Sequence, residues 1–189
     1  MAESTQRARW NRRHAERCDA EPTVCEGLIE FERYLPRHGF ALDLACGAGG
    51  NAIWLAQRGL GVLAIDVSDV ALVQLRQASE GLRIETHVAD LTSYSLGQHA
   101  ADLVVVSRFL ERGLCARIVS AMAPGGLLLY QTFVGPYRGH GPRRLDYRLA
   151  SGELPLLFAE LDVIEYLEDP ESGPLSGYAT LLARARSDG

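Results

Sequence analysis

The sequence contains no lysine, so all 19 of its basic residues are arginine. We draw no function from that. It also lacks an apolar run near the roughly 18 residues that a membrane helix needs, which excludes an α-helical span. The N-terminus is polar and arginine-rich without an apolar core, so it is not read as a signal peptide. The four cysteines, Cys18, Cys25, Cys46 and Cys115, form no C-x-x-C pair and no metal-ligand spacing with the five histidines. No metal site is expected, and the thiols read as reduced thiols of a cytoplasmic protein. An excess of positive charge is missing too. The net charge of −5 argues against general nucleic-acid binding.

What is present fits one domain with a single core. The chain has 189 residues, 47% hydrophobic and 23% charged. It is organised around the stretch from Phe40 to Asn51. Phe40, Ala41, Leu42 and Leu44 make an apolar run too short for a helix, which favours a buried parallel strand. Asp43 stands inside that run, where an acid is costly unless something pairs with it. Gly47, Gly49 and Gly50 follow and permit positive φ and a close approach of backbone to ligand. A helix over about 51–58 then aims its free N–H groups back at that ligand, and Gly59 caps it.

This is a nucleotide-binding turn with an acid before it. The dinucleotide fingerprint G-x-G-x-x-G is absent. Asp43 would repel a pyrophosphate and attract a cationic group. A second strand, residues 62–65, ends in Asp66, about 20 residues past the turn, where an acid reaches ribose hydroxyls. Ser68 caps the next helix, with Ala71, Leu72, Leu75 and Ala78 on one face. A third strand, 82–88, leads to Asp90 and Leu91. A fourth, 101–106, carries three successive valines suited to a central strand and ends at Ser107, Arg108 and Phe109. In a doubly wound sheet that is the floor of the ligand cleft. Arg108 is read either as an anion ligand or as a partner of Glu111.

A helix over 114–122 and an Ala-Pro-Gly-Gly turn at 123–126 precede a fifth strand, 127–133. A Gly-, Pro- and Arg-rich loop follows at 134–148, then a short helix at 152–161 and two strands at 161–167 and 178–184. Ahead of all this, residues 3–38 read as a helical cap. Its basic stretch 8–18 holds Trp10 and His14 one helical turn apart, and Pro22 opens a helix over 23–34. The cap is read either as a cover on the sheet edge or as a lid that places Trp10 or Tyr34 at the pocket.

The acid followed by A-C-G-x-G-G-N resembles motif I of the class I S-adenosylmethionine-dependent methyltransferases, with Ala45 in place of the first glycine. The run Pro124-Gly125-Gly126-Leu127-Leu128-Leu129 also resembles that family's P-G-G-x-L-L-L pattern. The form of motif I and the Trp10-Asn11 pair are similar to the small bacterial tellurite-resistance methyltransferases. Basic residues usual in that group's last hairpin are absent here, where 172–177 is nearly neutral.

The resemblance implies a three-layer, Rossmann-like α/β domain with seven mostly parallel strands, the last antiparallel. It implies one methyltransferase domain over 1–189, with a cap at 1–38 and a core at 39–186. The implied cofactor is S-adenosyl-L-methionine, and its product S-adenosyl-L-homocysteine. The implied cofactor residues are Asp43, Ala45, Cys46, Gly47, Gly49, Asn51, Asp66, Val67, Asp90, Leu91 and Ser107. In the pattern, Asp90 accepts from the adenine amino group and the Leu91 N–H donates to the ring. The expected partner is a small-molecule acceptor, anionic or a soft nucleophile, with no membrane, and the chain is a monomer or homodimer. Arg108, His140 and Tyr34 are the candidate catalytic residues. Arg108, Arg138, His140, Arg143 and Arg144 are expected to converge on one cleft. The rival readings are a non-catalytic S-adenosylmethionine-binding protein and an NAD-type oxidoreductase.

Overall fold

Among the described residues, seven strands pair into one sheet in the order β3-β2-β1-β4-β5-β7-β6. They are β1 (Phe40–Leu44), β2 (Gly61–Asp66), β3 (Ile84–Val88), β4 (Ala101–Ser107), β5 (Met122–Phe133), β6 (Asp162–Glu168) and β7 (Tyr178–Arg184). The computed structural model describes residues 5–16, 21–98, 100–169 and 173–187. Arg17, Cys18 and Ser172, parts of two of the segments read above, lie outside the described residues. Strands β1 to β5 pair in parallel, and β7 enters antiparallel between β5 and β6. The expected fold class is therefore the observed one.

The period-2 alternation of strand side chains splits the core in two. Leu42, Leu44, Val104, Val106, Leu128 and Tyr130 face one way, packing on α5 (Cys115–Ala121) and α6 (Glu153–Leu157). Ala41, Val62, Leu103, Val105 and Leu129 face the other way. They pack on α2 (Glu26–Glu30), α3 (Gly50–Gln57) and α4 (Asp69–Ala78). β1 lies between β2 and β4, so the chain leaves β1 toward one side and β4 toward the other. That is the topological switch, where a cleft opens beyond the strand carboxyl ends.

Several boundaries differ from expectation. The helix expected over 23–34 is broken into α2 and a 3₁₀ turn, Glu32–Tyr34. Cys25 stays extended (φ −71°, ψ 145°), with its N–H donating to Asn51 Oδ1 at 2.8 Å, so the helix starts after it. β3 starts at Ile84, since Leu82 N–H closes a turn on Ser79 O at 3.0 Å. β5 begins at Met122, which pairs with Ala101; pairing then resumes at Leu127, so 123–126 is an irregularity inside the strand. The helix expected over 152–161 shrinks to α6. The first helix, α1, runs Thr5–Ala15 and has no buried residue.

Candidate functional site

The chain leaves β1 through a turn built on left-handed residues: Ala45 (φ 55°), Gly47 (φ 54°) and Gly49 (φ 84°). Ala45 therefore holds a conformation that costs an alanine free energy, and the surroundings must enforce it. Cys46 N–H extends the sheet by donating to Ile65 O at 3.1 Å, and Gly49 N–H closes the turn on Cys46 O at 3.0 Å. A Cβ at Gly49 would stand 2.2 Å from Leu75, and one at Gly50 2.3 Å from the Thr23 carbonyl. These glycines let helix α4 and the cap segment close against the turn.

Asp43 lies beneath this turn, fully buried, and neither carboxylate oxygen has a hydrogen-bond donor among the described residues. Burial raises its carboxyl to about 7; Asn51 and Ala52, nearby but outside hydrogen-bond geometry, pull it partly back, and the Asp66 charge raises it further. Burial also pushes the Cys46 thiol up, with the Asp43 and Asp66 charges adding to it, so Cys46 is no thiolate at neutral pH.

Asp66 ends β2 almost buried. Its Oδ2 accepts from Gly47 N–H and its Oδ1 from Ser68 N–H, both at 2.8 Å. Burial raises its carboxyl, while those two N–H groups and the nearby His14 charge oppose the rise. Asn51 spends its side chain on scaffolding: Oδ1 accepts from Cys25 N–H, and Nδ2 donates to Ser107 Oγ at 3.0 Å. It thus ties the cap, α3 and the end of β4 together. Beyond β3, Asp90 Oδ1 accepts from the N–H and the hydroxyl of Thr92.

These elements enclose a cavity of about 400 Å³ at the switch point, within the size range of small-molecule sites. Ala45, Cys46, Gly47, Gly49, Asn51, Asp66, Val67, Asp90, Leu91 and Ser107 all line it. Asp43 sits behind the wall rather than in it. The sequence reading named Trp10 for the cap's share of the wall; Gln6, Pro22 and Thr23 were not foreseen. Gln6, Trp10 and His14, spaced four apart on one face of α1, line the cavity together with Pro22 and Thr23. That spacing was the available signal. α1 is moored to α4 by polar contacts: Asn11 Nδ2 to Asp69 Oδ1, Ser68 Oγ to Asn11 Oδ1, and Gln74 Nε2 to His14 O. Of the two aromatic residues considered for a lid, Trp10 reaches the cavity and Tyr34 does not.

The three catalytic candidates do not assemble. Tyr34 donates its hydroxyl to Glu165, and His140 packs on Phe133 and Tyr178; neither lines the cavity. Arg108 does line it, but Glu26 holds its guanidinium at 2.8 Å, not Glu111. The expected convergence of arginines is not observed. Arg138 pairs with Asp169, Arg144 with Asp146, and Arg143 lies over the Tyr137 ring. Near-neighbour acids and rings are closer to these loop residues than the cleft is. Among the described residues no cluster of His, Cys, Asp and Glu could hold a metal, and no helix is long and apolar enough to cross a membrane.

The strand order, the acid-and-glycine turn and the cleft above it define the class by fold: the fold is that of the class I S-adenosylmethionine-dependent methyltransferases. Residues 41–126 match the family described as "Methyltransferase domain". Over 162 residues the chain is 27% identical to hemagglutinin 1 of Eikenella corrodens, covering 76% of this chain and 53% of that protein. The chain spans about half the length of the curated relatives it matches. Its fold is similar to TehB from Haemophilus influenzae, with a TM-score of 0.73 and 19% identity over 94% of this chain and 67% of that one. It is also similar to a TehB-like methyltransferase from Corynebacterium glutamicum, with a TM-score of 0.69 and 17% identity over 96% and 98% of the two chains.

The residues present fit the cofactor. An unpaired buried carboxylate beneath the turn suits a cationic ligand, and Gly47 presents its backbone to the cavity without a side chain.

Proposed function

We propose that the chain transfers the methyl group of S-adenosylmethionine to a small, uncharged soft nucleophile. The observation that carries this reading is the placement of Asp66 and Asp90 at two strand tips around one cavity, with the glycine turn as its floor. In it, Ala45, Cys46, Gly47, Gly49 and Asn51 hold the amino-acid end of the cofactor, under the field of Asp43. Asp66 accepts from the ribose hydroxyls beside Val67. Asp90 and Leu91 read the adenine edge, and Ser107 closes the floor. When bound, the cofactor supplies a sulfonium methyl that is already electrophilic.

The protein's task is then to align an acceptor and exclude water. α1, through Trp10 and His14, covers the cavity for that purpose. No base is assigned: a thiol acceptor gives its proton to solvent as its sulfur takes the methyl group and S-adenosylhomocysteine leaves. Arg108 faces the cavity with its charge already offset by Glu26, which favours an uncharged acceptor over an oxyanion. The proposal includes a single domain with a cap at 1–38 and a core at 39–186, and a cytoplasmic location.

Calorimetry with S-adenosylhomocysteine, beside NAD as control, tests the cofactor site. A methyl-donor consumption assay across thiols and metalloid oxyanions tests the acceptor. Turnover confined to oxyanions would overturn the acceptor class.

A further inference from the structure

Arg117 lies on α5, outside the cavity wall, and sends its guanidinium to the loop after β3. Nη1 donates to Tyr94 O at 2.5 Å, and Nη2 to Leu91 O at 2.8 Å and Thr92 O at 3.4 Å. That same loop places Asp90 and Leu91 in the cavity wall. Within it, the Asp90 carbonyl accepts from Ser93 N–H at 3.1 Å and Tyr94 N–H at 2.8 Å. From 89 to 98 the chain forms no helix or strand, so no ladder fixes its path. A rigid fork of five donors can tie several converging carbonyls at once; an ammonium on a flexible stem does so poorly.

We propose that Arg117 is a positioning residue that sets Asp90 and Leu91 for adenine, and so gives the site its discrimination between adenine and hypoxanthine. This rests on the adenine role proposed above for those two residues. Adenine offers an exocyclic amino donor and an unprotonated ring nitrogen. Hypoxanthine offers a carbonyl oxygen and a protonated ring nitrogen at the same places. A carboxylate and a backbone N–H fixed for the first pattern meet the second with both contacts mismatched. Fixing them is what the Arg117 fork does.

The test is calorimetric affinity for S-adenosylhomocysteine and for S-inosylhomocysteine in the wild type and in Asp90→Ala, Arg117→Met and Arg117→Lys. Wild type is expected to prefer the adenosyl compound about tenfold to a hundredfold. The ratio is expected to fall toward one in Asp90→Ala and in Arg117→Met, with Arg117→Lys between. Arg117→Lys keeps the charge and carries the test if the methionine variant does not fold. If Asp90→Ala collapses the ratio while folded Arg117 variants keep it, Arg117 is a structural tie only, even if it lowers thermal stability. If Asp90→Ala keeps the ratio, the adenine reading itself fails and the positioning role falls with it.

Discussion

Glu26 and Arg108 meet at 2.8 Å, the one from the cap and the other from the end of β4, where Arg108 also lines the cavity. Gln131, fully buried in β5, holds the second Glu26 oxygen at 2.7 Å, and its own carbonyl oxygen accepts from Gly27 N–H at 2.7 Å. Arg108 itself has φ 55°, with its N–H donating to Gln131 O at 2.8 Å. The pair thus joins the cap to the sheet.

Because both side chains are about one-third exposed or less, the pair is expected to couple by about 1 kcal/mol, the upper end for accessible pairs. A double-mutant cycle with Glu26→Gln and Arg108→Gln, read by urea unfolding, measures it. Additive effects would mean that the pair is a contact without coupling.

Asp66→Ala is expected to weaken S-adenosylhomocysteine binding about tenfold to a hundredfold, since bonds to a carboxylate contribute about 1.5–3 kcal/mol. It also frees Gly47 and Ser68 N–H groups, so unfolding is measured alongside calorimetry. Unchanged affinity in a folded variant would refute the ribose role.

Gly47→Val forces a branched side chain into φ 54°, with its Cβ 3.3 Å from His14. Cofactor binding is expected to vanish while circular dichroism stays close to wild type, because the strain and the clash fall on the turn and lid. Normal binding would place the cofactor elsewhere.

Asp43 predicts a pH effect. Its carboxyl sits at about 7 when folded, against about 3.9 in an unfolded chain. Between those values the folded state keeps a proton that the unfolded state has lost. The stability from this group is fully present below about 4 and declines as the pH rises through 7. Asp43→Asn is expected to flatten the dependence of melting temperature on pH between 4 and 8. A profile as steep as wild type would assign the titration to another group. On the ligand side, the ionised carboxylate attracts a cation, so wild-type cofactor affinity is expected to strengthen as the pH passes 7.

The sequence by itself determined the strand, glycine turn and helix at 40–58, and the acids at the tips of the next two strands. Those signals are local: an apolar run of strand length, residues that tolerate positive φ, and a spacing fixed by one helix and one strand. It also carried the seven strands, through the succession of such units; their mostly parallel pairing followed from the resemblance to the methyltransferases. Tertiary structure alone decided the rest. Arg108 chose Glu26 over the nearby Glu111, and the loop arginines went to Asp169, Asp146 and the Tyr137 ring and not to the cleft. Asn51, placed by its motif, turned out to bolt the cap to β4. The fork of Arg117 found three carbonyls on a loop more than 20 residues earlier. A long side chain takes whichever partner the packed backbones bring within about 3 Å. That choice depends on how separate elements are placed against one another, which no local pattern of residues records.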